Sequence, residues 1–125
     1  MIPIEVSERE HLIFVTLSGQ PSPESIIGML RHLDQLIASD PSLLVLIDES
    51  ELRAAFAETT DIAHFATAWQ ESTALRSTRI AVFTSNRAVY GLNRMFHGLA
   101  DADGSMNVFS DRAAALAWLR DDPAH

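Results

Sequence analysis

Five consecutive apolar residues, Leu43-Leu44-Val45-Leu46-Ile47, stand between Pro41-Ser42 and the acidic stretch Asp48-Glu49-Ser50-Glu51. A run this short and this uniformly apolar suits a strand covered on both faces. A helix needs more length and a polar stripe. Strands of that kind occur where helices cover both sides of a largely parallel sheet. The remainder of the chain can be placed around this segment.

Upstream, Ile2, Ile4 and Val6 alternate with Pro3 and Glu5, a short strand with one buried face. Pro3 has no N–H to donate, which suits a sheet edge. Leu12–Ser18 is a second strand, and the polar Ser7–His11 makes the pair an antiparallel hairpin. Gly19-Gln20-Pro21 ends it. Ser22 is an N-cap with Pro23 at the first helical position, and Ile26, Met29, Leu30, Leu33, Leu36 and Ile37 follow at helical spacing. Gly28 costs this helix about 1 kcal/mol against alanine, which a close backbone approach to the sheet would explain. The central strand Leu43–Asp48 follows, reached by a helical crossover and therefore parallel to its predecessor.

Beyond it, Leu52–Ala57 reads as a loop with some helix. Thr59 or Thr60 caps a helix with Ile62, Phe65, Ala66, Trp69 and Thr73 on one face. Ile80–Phe83 is a further buried strand. Thr84-Ser85-Asn86 caps a helix carrying Val89, Leu92, Phe96 and Leu99. A turn over Asp101–Gly104 leads to the strand Met106–Phe109, and Ser110 caps a final helix that Asp121-Asp122-Pro123 ends. The expected class is therefore α/β. A five-stranded mixed sheet, an N-terminal β-hairpin followed by alternating strands and helices, is covered by about four helices. At 125 residues the chain forms a single domain over 1–125.

Composition removes several function classes. Seventeen acids against nine bases give a net charge of −8, which repels phosphate backbones and anionic membrane surfaces, so no nucleic-acid partner is expected. There is no cysteine, so thiolate and disulfide chemistry is excluded. No apolar run approaches the ~20 residues that span a bilayer, and Met1-Ile2-Pro3-Ile4-Glu5 lacks the pattern of a signal peptide. The expectation is a cytoplasmic protein with no membrane insertion. No cofactor or metal is expected either.

The carboxyl ends of parallel strands are where ligands usually bind. That rim collects Asp48, Glu49, Thr84, Ser85 and Asn86, together with Thr59, Thr60 and Ser110. No glycine-rich phosphate loop is present, so the simpler expectation is a solvated acidic loop beside ordinary caps. The histidines are scattered at 11, 32, 64, 97 and 125. Asp61 and His64 lie three apart on one helix and can meet as a carboxylate–imidazole pair. No Gly-x-Ser-x-Gly elbow offers a nucleophile, and no catalytic set is complete. The aromatic residues and methionines of the middle helices form a core stripe, an exposed homodimer face, or the wall of an apolar pocket lined by Phe56, Phe65, Trp69, Tyr90, Met95 and Phe96.

Three segments, Leu43–Asp48, Arg79–Phe83 with Thr84-Ser85-Asn86, and Ala114-Ala115-Leu116-Ala117-Trp118-Leu119, give the chain a pattern that resembles the anti-sigma-factor-antagonist (STAS) fold. It is closest to the SpoIIAA-like branch. Partner-switching members carry a phosphorylatable serine in an Asp-Ser-x-Gly setting after the central strand. The matching place reads Ala57-Glu58-Thr59-Thr60-Asp61, with neither serine nor glycine, which leaves Thr59 and Thr60 as phospho-acceptor candidates. The missing catalytic set beside a complete α/β core leads to the expectation of a non-enzymatic protein-interaction or regulatory module, working through the second and third helices and the acidic rim as a homodimer. The alternative, by analogy with the related layout of SEC14-like lipid carriers, is a carrier or sensor of a small apolar ligand. A weaker alternative is an acid–base enzyme using Asp48 or the Asp61–His64 pair.

Overall fold

The computed structural model describes residues 2–102 and 105–121. Asp103 and Gly104 of the expected turn, Asp122-Pro123 at the expected helix end, and His125 lie outside the described residues. The element order is β1 (Ile4–Ser7), β2 (Leu12–Gly19), α1 (Pro23–Ser39), β3 (Leu44–Leu52), a 3-10 turn (Ala54–Phe56), α2 (Thr59–Gln70), α3 (Thr73–Ser77), β4 (Ile80–Phe83), α4 (Arg87–Ala100), β5 (Met106–Phe109) and α5 (Arg112–Arg120). The sheet order is β1-β2-β3-β4-β5, with β1 antiparallel to β2 and every other pair parallel. This is the expected mixed α/β sheet, and the apolar run is its central strand.

Sequential parallel strands joined by right-handed crossovers stepping in one direction place their helices on one face. Accordingly α1, α2, α3 and α4 pack together over one side, while α5 contacts β3, β4 and β5 from the other. Strand alternation divides the core in the same way. Val45 and Ile47 belong to the large cluster under the first four helices, and Leu46 joins Leu12, Ala81, Phe83, Ala115 and Leu119 beneath α5.

Four local expectations are corrected. The second crossover is two helices, so five cover the sheet among the described residues. At the break, Ser72 is extended, its hydroxyl oxygen accepts from the Leu75 N–H at 3.0 Å, and the hydroxyl donates to Asp34 on α1. A residue that both caps and cross-links ends α2 before Thr73. Helix α2 is capped at Glu58, whose N–H donates to the Asp61 carboxylate at 2.8 Å, so Thr59 and Thr60 fall inside the first turn. Helix α5 is capped by Asp111, which accepts from the Ala114 N–H at 2.8 Å, instead of by Ser110. Gly28 is exposed, and a Cβ there would meet nothing within 4 Å, so no close approach to the sheet accounts for it.

Candidate functional site

Strand β3 runs four residues past Asp48. Its register against β2 slips after Thr16↔Asp48, with the next pairs at Ser18↔Glu51 and Gly19↔Leu52. Two residues of β2 thus face three of β3, which is a β-bulge. The Asp48 carboxylate sits on it, accepting from the Ser50 N–H at 2.9 Å and the Ser50 hydroxyl at 2.6 Å. The extra residue lets both Glu49 and Leu52 turn inward while Ser50 and Glu51 stay exposed. Glu49 therefore continues the inward series of Val45 and Ile47.

Glu49 is 5% exposed and borders a cavity of about 60 Å³ between the sheet and helices α1, α2 and α4. The floor includes Leu17, Ile47 and Val82; the helices and the 3-10 turn add Leu33, Phe65 and Phe56. Glu49 and Asn93 are the polar aliphatic side chains of the wall. The Asn93 amide nitrogen donates to Glu49 Oε1 at 2.6 Å and to the Val89 carbonyl at 3.1 Å. Burial above all pushes the Glu49 carboxyl up, the Asn93 hydrogen bond opposes the shift and the charge on Asp48 adds to it, so that the carboxyl is raised to about 7. Trp69, on α2, is 2% exposed and meets Phe96 edge to face at 5.8 Å. Its Nε1–H is the one buried side-chain polar atom without a hydrogen-bond partner among the described residues. Leu92 and Phe96, both on α4, are the lining residues that remain half-buried, so the cavity comes nearest to solvent along that helix.

Of the six residues expected to form an apolar pocket, Phe56, Phe65, Trp69 and Phe96 meet in this wall. Tyr90 and Met95 lie outside it. Helix α4 turns Val89, Leu92, Asn93 and Phe96 toward the sheet, which leaves Met95 38% exposed. The rim does not assemble as one site. Asp48 is tied to Ser50, and Thr84 is buried with its Oγ1 accepting from the Asn86 N–H at 3.1 Å. Asn86 caps α4 through the Ala88 and Val89 N–H groups, and Ser85 is exposed. Thr59, Thr60 and His64 are exposed on α2. Sequence reasoning missed Glu49 as a buried group and missed Asn93 altogether. The period-two continuation of Val45 and Ile47 was the available signal for the first, and the helical spacing from Val89 to Phe96 for the second. No group of three or more metal-ligating side chains occurs among the described residues, and none of their helices is long and apolar enough to cross a membrane.

Comparison with known proteins adds family and fold. No curated protein matches the sequence. Among solved structures, a crystal structure of an uncharacterized protein of the DUF3478 family from Shewanella loihica PV-4, with a SpoIIAA-like fold, matches with a TM-score of 0.57. Identity is 22%, over 95% of this chain and 92% of that one. At that identity the likeness is one of fold. The SpoIIAA-like family model matches residues 12–120, nearly the whole sheet and all five helices, and the chain belongs to the SpoIIAA-like family.

Proposed function

We propose that this domain is a non-enzymatic binding module, a sensor or carrier whose ligand is a small, mostly apolar molecule bearing one polar group. The observation that carries this reading is the wall of the cavity. Among the described residues it is apolar except for the hydrogen-bonded Glu49–Asn93 pair, and it includes Trp69, whose buried indole N–H has no hydrogen-bond partner among them. Ligand sites commonly combine apolar walls with a few placed polar groups. Size limits the occupant. A cavity of about 60 Å³ is less than half the roughly 150 Å³ that admits benzene in an engineered core. The ligand is therefore small, or it extends outward along α4 past Leu92 and Phe96. Heteronuclear NMR with small apolar probes tests this. Binding should move the Trp69 indole N–H resonance, and Leu92→Trp, which adds bulk where the wall nears solvent, should weaken it. Unmoved Trp69 and α4 resonances across the probe set would overturn the reading.

A second reading, an interaction module acting as a homodimer, is favoured by a different observation. Met95 and Leu99, one turn apart on α4, are 38% and 48% exposed. Size-exclusion chromatography with light scattering should then show a dimer that Leu99→Glu dissociates. A monomer at high protein concentration would remove this reading.

A further inference from the structure

We propose that the ligand of this cavity is a cationic amine with a small apolar body, its ammonium group paired with the Glu49 carboxylate. This rests on the ligand-binding reading above. Three observations select the charge. Among the described residues no cationic side chain lines the cavity, and the hydrogen bond that Glu49 accepts comes from the neutral Asn93 amide. A carboxylate held in apolar surroundings without an opposite charge gains most from a ligand that brings one. An anionic ligand would meet Glu49 and, on the other face of β3, Asp48, within a chain of net charge −8. An alcohol could donate to Glu49 but would leave its charge uncompensated. The aromatic faces in the wall, Phe56, Phe65, Trp69 and Phe96, favour a cation over an anion as well. Helix α4 brings the two ends together. Asn93 reaches Glu49 and Phe96 meets Trp69, so carboxylate and indole flank about one turn, roughly 4.5 Å of helix rise.

Binding on these terms is linked to the proton on Glu49. Asp48 is its titratable neighbour on β3, whereas α1, α2, α4 and the 3-10 turn present apolar side chains and Asn93 to the cavity. An alkylamine stays protonated through neutral pH, so below pH 7 Glu49 must release its proton before the pair can form. Affinity should then fall about tenfold per pH unit on the acid side and level off above neutrality.

The test titrates the whole chain with isobutylamine, isobutanol and isobutyrate between pH 5.5 and 8.5, followed by calorimetry and by the Trp69 indole resonance. Glu49→Gln, which keeps the shape and the Asn93 hydrogen bond, is titrated in parallel. The expected result is amine binding at least tenfold tighter than isobutanol at pH 8, no detectable isobutyrate binding, and loss of the amine preference in Glu49→Gln. Equal affinity for amine and alcohol, or an amine preference that survives Glu49→Gln, would overturn the amine assignment and leave the apolar-ligand reading in place. Failure of all three probes in both proteins would overturn both.

Discussion

Glu49 couples the stability of the fold to pH in the opposite sense to an ordinary carboxylate. Its carboxyl titrates near 7 in the native protein, against 4.5 when unburied. Below 4.5 the group is protonated in both states and its contribution to stability is fully present. Between 4.5 and 7 the unfolded chain releases the proton while the native state holds it, so that contribution is lost as pH rises. Above 7 the loss is complete, at most about 3 kcal/mol for a shift of this size. Glu49→Gln cannot ionise and should be spared. Urea unfolding at pH 4.5, 6 and 8 should show the variant gaining on the parent protein at each step. A gap that stays constant with pH would mean that Glu49 is not the buried acid described above. At the same scale, Asn93→Leu removes the amide that stabilises the ionised form. The Glu49 carboxyl should then titrate higher still, which carboxyl-carbon NMR shifts would register.

The elements follow local rules that were legible in advance, and the exceptions sit at their ends. Helix α1 begins at Ser22 and Pro23 as its sequence predicts, with Ser22 Oγ accepting from the Ser25 N–H. The two miscapped helices share a cause. Ser110-Asp111 places two competent capping residues side by side, at α2 the reciprocal bonding of Glu58 and Asp61 takes the cap from Thr59 and Thr60, and in both cases the three-dimensional path decides which residue sits in extended backbone. Asp111→Ala should therefore cost about 1 kcal/mol, and Ser110→Ala much less, in paired denaturation curves. The end of β3 was illegible for another reason. Asp48-Glu49-Ser50-Glu51 has the composition of a loop, but the bulge keeps the strand paired through Leu52. That same misjudged end hid the one buried acid among the described residues, so the site was lost with the strand boundary. Gly28 was misread in the opposite direction. With open space around it on an exposed helix face, Gly28→Ala should stabilise the protein by about 1 kcal/mol, raising its thermal midpoint in calorimetry.

At the scale of the molecule, the sheet has one thick side and one thin side. Handed crossovers commit four helices to one face, and that face contains the cavity; among the described residues α5 is the helix that covers the other. Two sets of contacts, among others, hold the thin side. Ala115 and Leu119 pack on Leu12, Leu46, Ala81 and Phe83. At the far end the Arg79 guanidinium donates to the Trp118 and Asp121 carbonyls and lies over the Trp118 ring, 4.2 Å from its centroid. Leu119 is 2% exposed, and Leu119→Ala should cost about 2–5 kcal/mol. Because α5 packs chiefly on the strands, the damage should stay local. Hydrogen exchange in this variant should accelerate over 112–120 and leave the amides of α1 and α2 protected. Isobutylamine binding should persist, since Leu119 and the cavity lie on opposite faces of the sheet. Uniform acceleration across all five helices would show instead that the two faces unfold as one cooperative unit and that the division of the core has no energetic counterpart.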